Sequence, residues 1–423
     1  MATVADVLIE PLGHPVDANV VVPGSKSITN RALICAALAS GASTLTGVLD
    51  ADDTQAMLGV AGSVGAQVTQ HAAADTYRIV GTGGELRPGP VELNVRMSGT
   101  TARFATPLAA RSTGGYVVDG APEMRARPMG GSIEALRSVG VEVDGTSLPV
   151  TVHGGFDGGE LELAADVSSQ FASGMLLASP GTANGLDLRL TGDVVSRPYL
   201  DMTVDVMRAF GAQVDRPDSN RFVVAPKHGY EGVDYQIEPD ASAASYFFAA
   251  AAVTGGRVRI DGLGTNALQG DVDFVDVLAQ MGCHVDKATD YIEVSGPDTL
   301  RGVEVDMSQI SDTAQTLAAI APFADGPTRV TGIGFIRFKE TDRVGAVVAE
   351  LQRMGITATE EEDGFLIEPG VPQPATVQTY HDHRMAMSFA LTGLMTPGID
   401  IADPGCVAKT FPTYWDVLAG LRR

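Results

Sequence analysis

Two kinds of residue in this chain could do chemistry: basic side chains at the starts of Ala-rich segments, and a few carboxylates close to them. The first start reads Pro23-Gly24-Ser25-Lys26-Ser27-Ile28-Thr29-Asn30-Arg31. Gly24 allows a tight turn, Ser25 and Ser27 offer hydroxyls for capping or for phosphate oxygens, and Lys26 and Arg31 add charge. The order is not that of a Walker A loop. The second, Ser98-Gly99-Thr100-Thr101-Ala102-Arg103, sets Arg103 one turn inside an apolar run, where an Arg needs an anion or an acid beside it. The third, Val167-Ser168-Ser169-Gln170, has hydroxyls and an amide but no charge. Arg125 and Arg127, Arg197, Lys339 to Arg343, His381 to Arg384, and Lys409 complete the set. A helix N-terminus carries unpaired N–H groups and the positive end of a dipole, so it receives anions. Taken singly, each segment is equally a capped helix or a solvated charged face. Together, inside an acidic protein, they describe a trap for phosphorylated or carboxylated small molecules.

The chain has 423 residues and a formal net charge of −23, which argues against a general nucleic-acid or anionic-membrane binder. Its 44% hydrophobic content supports a large core and argues against disorder. Cys35, Cys283 and Cys406 show no C-x-x-C spacing, so neither a disulfide framework nor a thiolate zinc site is expected, and a reducing compartment fits. Met1–Pro11 lacks a basic n-region and a long apolar run, and Ala249–Val253 is far too short for a membrane span. A cytoplasmic protein is expected. His381, Asp382 and His383 raise a metal, but only two histidines lie nearby and Asp382 equally serves as a helix cap, so no metal is expected.

The elements that must position these residues show in a repeat. Six Ala-rich segments, Ser27–Gly41, Gly99–Gly114, Ser169–Gly181, Ala241–Gly255, Asp312–Gly326 and His383–Gly398, read as buried helices with a polar start and a Gly stop. Their closing glycines step by 73, 67, 74, 71 and 72 residues. A second signature, apolar-x-x-apolar-Gly, lies between them at Leu136–Gly140, Leu278–Gly282 and Leu351–Gly355, more loosely at Ala61–Gly65 and Met207–Gly211. Short alternating runs follow, such as Ala212–Asp215 and Cys283–Asp286, and read as strands. A sixth copy, Tyr414–Leu421, has no strand after it, whereas Asp6–Glu10 has strand character and no helix before it. The N-terminus is therefore expected to complete the sixth unit. The fold class is α/β, with two similar domains of three repeated α/β units and pseudo-threefold symmetry. One domain is placed at 23–235 and a discontinuous one at 1–22 plus 236–423, with a cleft between them. Accidental helix spacing in an ordinary α/β protein is the alternative.

PGSKSITNR (Pro23–Arg31), SGTTAR (Ser98–Arg103), SSQ (Ser168–Gln170), KETDR (Lys339–Arg343), DHRMAM (Asp382–Met387) and AKTFP (Ala408–Pro412) resemble the 3-phosphoshikimate 1-carboxyvinyltransferase (EPSP synthase) family, in order and spacing, from Pro23 to the C-terminus. The resemblance implies the enolpyruvyl transferase fold and transfer of an enolpyruvyl group from phosphoenolpyruvate to the 5-hydroxyl of shikimate 3-phosphate, in chorismate and aromatic amino-acid biosynthesis. It implies no cofactor, no partner beyond the two small-molecule substrates, and a monomer. By matching position it assigns Lys26, Ser27, Arg31, Ser168, Ser169, Gln170, Ser196, Tyr199, Asp312 and Lys339 to shikimate 3-phosphate. It assigns Lys26, Gly99, Arg127, Gln170, Arg343, Arg384 and Lys409 to phosphoenolpyruvate. Asp312 is the expected base, and Glu340, assisted by Lys26 or His383, the expected acid. Arg103 matches a basic family position.

The sequence departs from the family pattern at Met97 and Phe335, where many relatives have Asn, and at Phe104, where many have Pro. Gly99, where an Ala would crowd the site of the inhibitor glyphosate, is kept, so at least partial sensitivity is expected. The sister transferase acting on UDP-N-acetylglucosamine is the nearest rival. It normally carries Lys-Asn at the first helix and a cysteine loop, and this chain has Lys26-Ser27 and no cysteine in Gly114–Pro128. A non-catalytic anion-binding protein would leave Asp312, Glu340 and Asp382 without purpose.

Overall fold

The computed structural model describes residues 5–164 and 168–422, so Val167 of the third helix start and the first four residues lie outside the described residues. The chain divides into two units, Gly24–Glu238, and Met1–Pro23 together with Pro239–Arg423.

The unit Gly24–Glu238 contains α1 (Lys26–Leu38), α2 (Asp52–Ser63), α3 (Gly99–Ala109), α4 (Pro122–Arg125), α5 (Gly130–Ser138), α6 (Ser169–Ala178) and α7 (Pro198–Ala209). α1, α3 and α6 pack on one another, while α2, α5 and α7 each lie against two of them. The inner helices are apolar or small almost all round, which is why they are buried at nearly every position. Their starts are fixed by side-chain caps. Ser25 accepts from the Ile28 N–H, Ser98 from Thr101 and Ser168 from Gln170.

Pro107 sits inside α3 and lacks the N–H that would take up the Arg103 carbonyl. That carbonyl faces Gly174 of α6, where a Cβ would stand only 2.4 Å from the oxygen. The two helices can approach this closely only with glycine there.

The other unit contains α8 (Ala241–Thr254), α9 (Phe274–Gln280), α10 (Ala314–Ile320), α11 (Arg343–Arg353), α12 (His383–Met395) and α13 (Tyr414–Gly420). Here α8, α10 and α12 form the inner set. Ser245 on α8 reaches Thr316 on α10 at 3.1 Å, and Thr316 reaches Ser388 on α12 at 3.5 Å, a buried line of hydroxyls through the three. Asp240 caps α8 and Asp382 caps α12. Asp312 lies in a 3-10 turn, Ser311–Thr313, ahead of α10.

The sheets repeat one pattern: an edge strand, a parallel central strand, then antiparallel neighbours. Asp234–Gln236, Ala42–Thr46, Tyr77–Val80 and Gln67–Gln70 form the first, in that order. The sixth has only Ala375–Val377, Ile399–Ile401 and, antiparallel to the latter, Val7–Ile9. The N-terminal strand thus supplies the third strand of the sixth sheet, as expected.

The Gly stops differ from expectation. Only Gly255 is a left-handed helix cap, its N–H donating to the Ala251 carbonyl. Elsewhere the helix ends earlier. Gly41, Gly181 and Gly398, at φ of 94°, 81° and 78°, turn the chain toward the next strand, while Gly114, at 98°, lies within the strand Thr113–Asp119 where its register shifts. The strand expected at Ala212–Asp215 runs Val214–Asp218, and that at Cys283–Asp286 runs His284–Lys287. Among the described residues no helix is long and apolar enough to cross a membrane.

The close α3–α6 approach makes a test. Gly174→Ala is expected to cost about 1–3 kcal/mol, the range for overpacking a filled core, read as a lower melting temperature. An unchanged melting temperature would show that the helices part there freely.

Candidate active site

In the unit Gly24–Glu238, Lys26 and Arg103 lie on the early turns of their helices and Arg127 lies between α4 and α5. Lys26 opens α1, and its Nζ lies 3.4 Å from the Asp53 carboxylate on α2. Arg103 donates to the Gln170 side-chain oxygen at 2.7 Å and to the Pro128 carbonyl at 3.2 Å, with its guanidinium against the Phe171 ring. The Gln170 amide in turn donates to Thr100 Oγ1 at 3.1 Å. Gln170 therefore ties the second helix start to the third. The Arg127 guanidinium lies over Gly99, where a Cβ would be 2.7 Å from its Cζ. Lys26, Arg103, Arg127, Gly99 and Gln170 are thus joined through α1, α2, α3 and α6. Ser168 caps α6, and Ser196, at φ 52°, is held in the left-handed region just before α7.

Arg31 lies beneath the helix start. It is only 1% exposed and spends its guanidinium on neutral oxygens: Thr203 Oγ1 at 2.7 Å, the Ser27 carbonyl at 2.8 Å, the Tyr199 carbonyl at 3.0 Å and Ser173 Oγ at 3.4 Å. The Phe104 and Tyr199 rings lie 5.2 and 5.9 Å from its Cζ. Burial lowers its pKa to about 10. Phe104, one of the departures from the family pattern, is thus part of the box that keeps Arg31 inside. Arg31 supports Ser27 from behind.

In the other unit three carboxylates interleave with four cations. Asp312 accepts from Lys339 at 2.7 Å, Arg384 at 2.6 Å and Arg343 at 3.2 Å. Burial by itself would raise the Asp312 pKa, but the charges of Arg384, Lys339 and Arg343 outweigh it and hold the carboxyl well below its usual range. Glu340 accepts from Arg343 at 2.8 Å, with Lys409 at 3.7 Å from its other oxygen. Asp382 accepts from Arg343 at 2.7 and 3.3 Å and from the Arg384 N–H at 2.9 Å. Arg343 is 1% exposed, is enclosed by these three acids and organises the cluster. Arg384 also lies 3.4 Å from the Tyr246 hydroxyl. His383 is buried beside Asp382 at 3.6 Å. Phe335 places its ring 5.7 Å from the Lys339 Nζ, so this second departure also lies against a site cation.

A family profile described as EPSP synthase (3-phosphoshikimate 1-carboxyvinyltransferase) matches residues 12–418. The chain belongs to this family. It is 46% identical over 414 residues to the 3-phosphoshikimate 1-carboxyvinyltransferase of Nostoc sp. (strain PCC 7120), covering 97% of each chain. It is 41% identical over 418 residues to that of Klebsiella pneumoniae, again covering 97% of each. Among solved structures it resembles the EPSP synthase of Acinetobacter baumannii, at 27% identity and a TM-score of 0.83, over 98% of this chain and 97% of that one. The enolpyruvyl transferase NikO from Streptomyces tendae shares the fold at a TM-score of 0.78 and 18% identity, over 98% and 97%. The α/β architecture of three-repeat units is thus the enolpyruvyl transferase fold.

Some residues at the site gave no sequence signal. Asp53 opens α2 as one of two successive acids, an ordinary dipole match. Tyr246 hides inside an apolar helix. Asp271 is 4% exposed on the turn Gly270–Asp273 and accepts from the Ser242 hydroxyl. Arg125, by contrast, forms an exposed pair with Asp119.

Two outcomes are expected. Gly99→Ala forces the Arg127 guanidinium aside. A flexible end can move, so stability should change by no more than about 0.5 kcal/mol. Titration calorimetry should then show phosphoenolpyruvate, the ligand the resemblance assigns to Arg127, binding about tenfold more weakly; unchanged affinity would refute the contact. The second concerns Asp271, whose pKa burial and the Asp312 charge push up to about 6. Between its unfolded value near 4 and about 6, the folded state keeps a proton that the unfolded chain has lost. This group therefore costs stability as pH rises through that window, whereas Asp312, shifted the other way, costs stability as pH falls. Asp271→Asn should gain on the wild type by up to about 2 kcal/mol between pH 4 and 6.5, followed by urea melts. A constant difference would refute the shift.

Proposed function

We propose that the protein transfers the enolpyruvyl group of phosphoenolpyruvate to the 5-hydroxyl of shikimate 3-phosphate, releasing phosphate, in aromatic amino-acid biosynthesis. The observation that carries this reading is the pair of cation-rich clusters at the helix starts of a family member whose net charge is −23. Lys26, Arg103 and Arg127 outnumber Asp53 in one unit, and in the other Lys339, Arg343, Arg384 and Lys409 are drawn together by Asp312, Glu340 and Asp382, with Asp271 beside them. Cations gathered in this way are placed to meet a phosphate or carboxylate.

The unit bearing Lys26 holds most of shikimate 3-phosphate, through Ser27, Ser168, Ser169, Gln170, Ser196 and Tyr199. The other carries Lys339, Arg384 and Lys409. Arg31 and Arg343 act from behind, by fixing Ser27 and the carboxylates.

In the addition step the 5-hydroxyl oxygen bonds to C2 of phosphoenolpyruvate while C3 gains a proton. In the elimination step the C2–O bond to phosphate breaks and a proton leaves C3, restoring the double bond. Asp312 takes the hydroxyl proton. With its pKa held low it is a weak base at first, but anionic substrates draw Arg384 and Lys339 onto themselves and make it more basic. Glu340, between Arg343 and Lys409, exchanges the proton at C3. The preorganised cations stabilise the anionic tetrahedral intermediate better than water, which would have to reorient.

The test is phosphate release from phosphoenolpyruvate with shikimate 3-phosphate, with UDP-N-acetylglucosamine as control acceptor. Turnover is expected only with the first. Asp312→Ala and Glu340→Ala should each lower kcat by about 10²–10⁴-fold, and glyphosate should inhibit at least in part. Release with the nucleotide sugar alone would overturn the substrate; wild-type turnover by both variants would overturn the acid and base roles.

A further inference from the structure

Tyr380 and His381, at φ of 54° and 56°, are two successive non-glycine residues in the left-handed region. Such backbone is costly for L-residues and persists only where neighbours enforce it. Here it stands immediately before Asp382 and Arg384.

The enforcing group is Glu350 of α11. Its side chain is fully buried, and no step of the reaction uses it. Oε2 accepts the Gln378 N–H at 3.0 Å, Oε1 accepts the Tyr380 hydroxyl at 2.7 Å, and Arg353 supplies the countercharge at 3.0 Å. Two turns earlier on the same helix, Arg343 grips Asp382 at 2.7 Å. One helix therefore fastens both ends of the stretch from Gln378 to Asp382, and the left-handed pair spans the gap. Within it the Asp382 N–H donates to the Thr379 carbonyl at 2.8 Å. His381 adds a tie to Asp403 at 2.7 Å, itself left-handed at φ 46° and placed before the 3-10 turn Pro404–Lys409.

We propose that Glu350 is a positioning residue for phosphoenolpyruvate binding: by holding the Tyr380–His381 turn it sets the direction in which Asp382 and Arg384 point. A carboxylate suits this place because it accepts from the two donors of the turn and from Arg353 at once, whereas an amide offers one acceptor oxygen and turns its NH2 toward donors on its other side. The proposal rests on Arg384 serving phosphoenolpyruvate.

The test uses steady-state kinetics of the full-length enzyme, well below its melting temperature. Glu350→Gln should raise KM for phosphoenolpyruvate about tenfold, with KM for shikimate 3-phosphate and kcat changed less than about twofold. Tyr380→Phe, which removes one of the two donors, should raise it about threefold and serves if Glu350→Gln does not fold. Glycine takes φ > 0 without strain. His381→Gly in the Glu350→Gln background should therefore bring KM back to within about threefold of the His381→Gly single variant. An unchanged KM in Glu350→Gln, or a loss that glycine does not repair, overturns the proposal. Arg384→Lys is the reference arm. If it leaves KM for phosphoenolpyruvate unaltered, the assignment of Arg384 fails; if it raises KM while Glu350→Gln does not, only the positioning role fails.

Discussion

Four cations would repel one another if three carboxylates did not interleave with them. Asp312, Glu340 and Asp382 hold Lys339, Arg343, Arg384 and Lys409 together, with Arg343, Asp382 and Arg384 buried and Lys339, Asp312 and Glu340 partly exposed. Burying such groups is expensive unless each charge finds partners. Arg343 finds three, which is why it can lie at 1% exposure in the middle of the set. Each acid serves as countercharge in the free protein, and Asp312 and Glu340 are also the groups to which the proposed reaction gives its proton transfers. The cluster is preorganised for anions at a cost the folded units must carry.

That cost is met by the inner helices. Their Ala-rich surfaces let three helices pack against one another, with α3 and α6 in near backbone contact at Gly174. All of their starts but that of α10 are capped by Ser or Asp, so free N–H groups and dipoles are presented where Lys26, Gly99, Ser169 and Arg384 stand. The acidic remainder of the protein works against this local field. Selectivity for small, multiply charged anions follows, because only a ligand able to touch several cations at once recovers the lost attraction.

Both aromatic departures from the family pattern that bear on the site face cations. Phe104 closes one side of the box around Arg31, and Phe335 lies beside Lys339. A ring face attracts a cation without neutralising it. Asn or Pro at those positions would place a dipole or a smaller surface there. The chain therefore uses packing, rather than added hydrogen bonds, to restrain two of its site cations.

Sequence alone determined the repeat, the helix starts and the family, because those depend on residue type at fixed spacing. The closing glycines showed the period but misplaced the helix ends, since a left-handed glycine serves a turn as well as a cap, and only Gly255 is a cap. The sequence also marked Arg31 and Arg343 as cations but could not say which way they point. Tertiary structure decided that both turn inward, one onto Thr203, Ser173 and two carbonyls, the other onto three carboxylates. It also brought Asp53 to Lys26, Tyr246 to Arg384, and Glu350 to the backbone ahead of Asp382. The reason is physical: an ionic partner is set by distance in space, and the nearest countercharge to a side chain is seldom its neighbour along the chain.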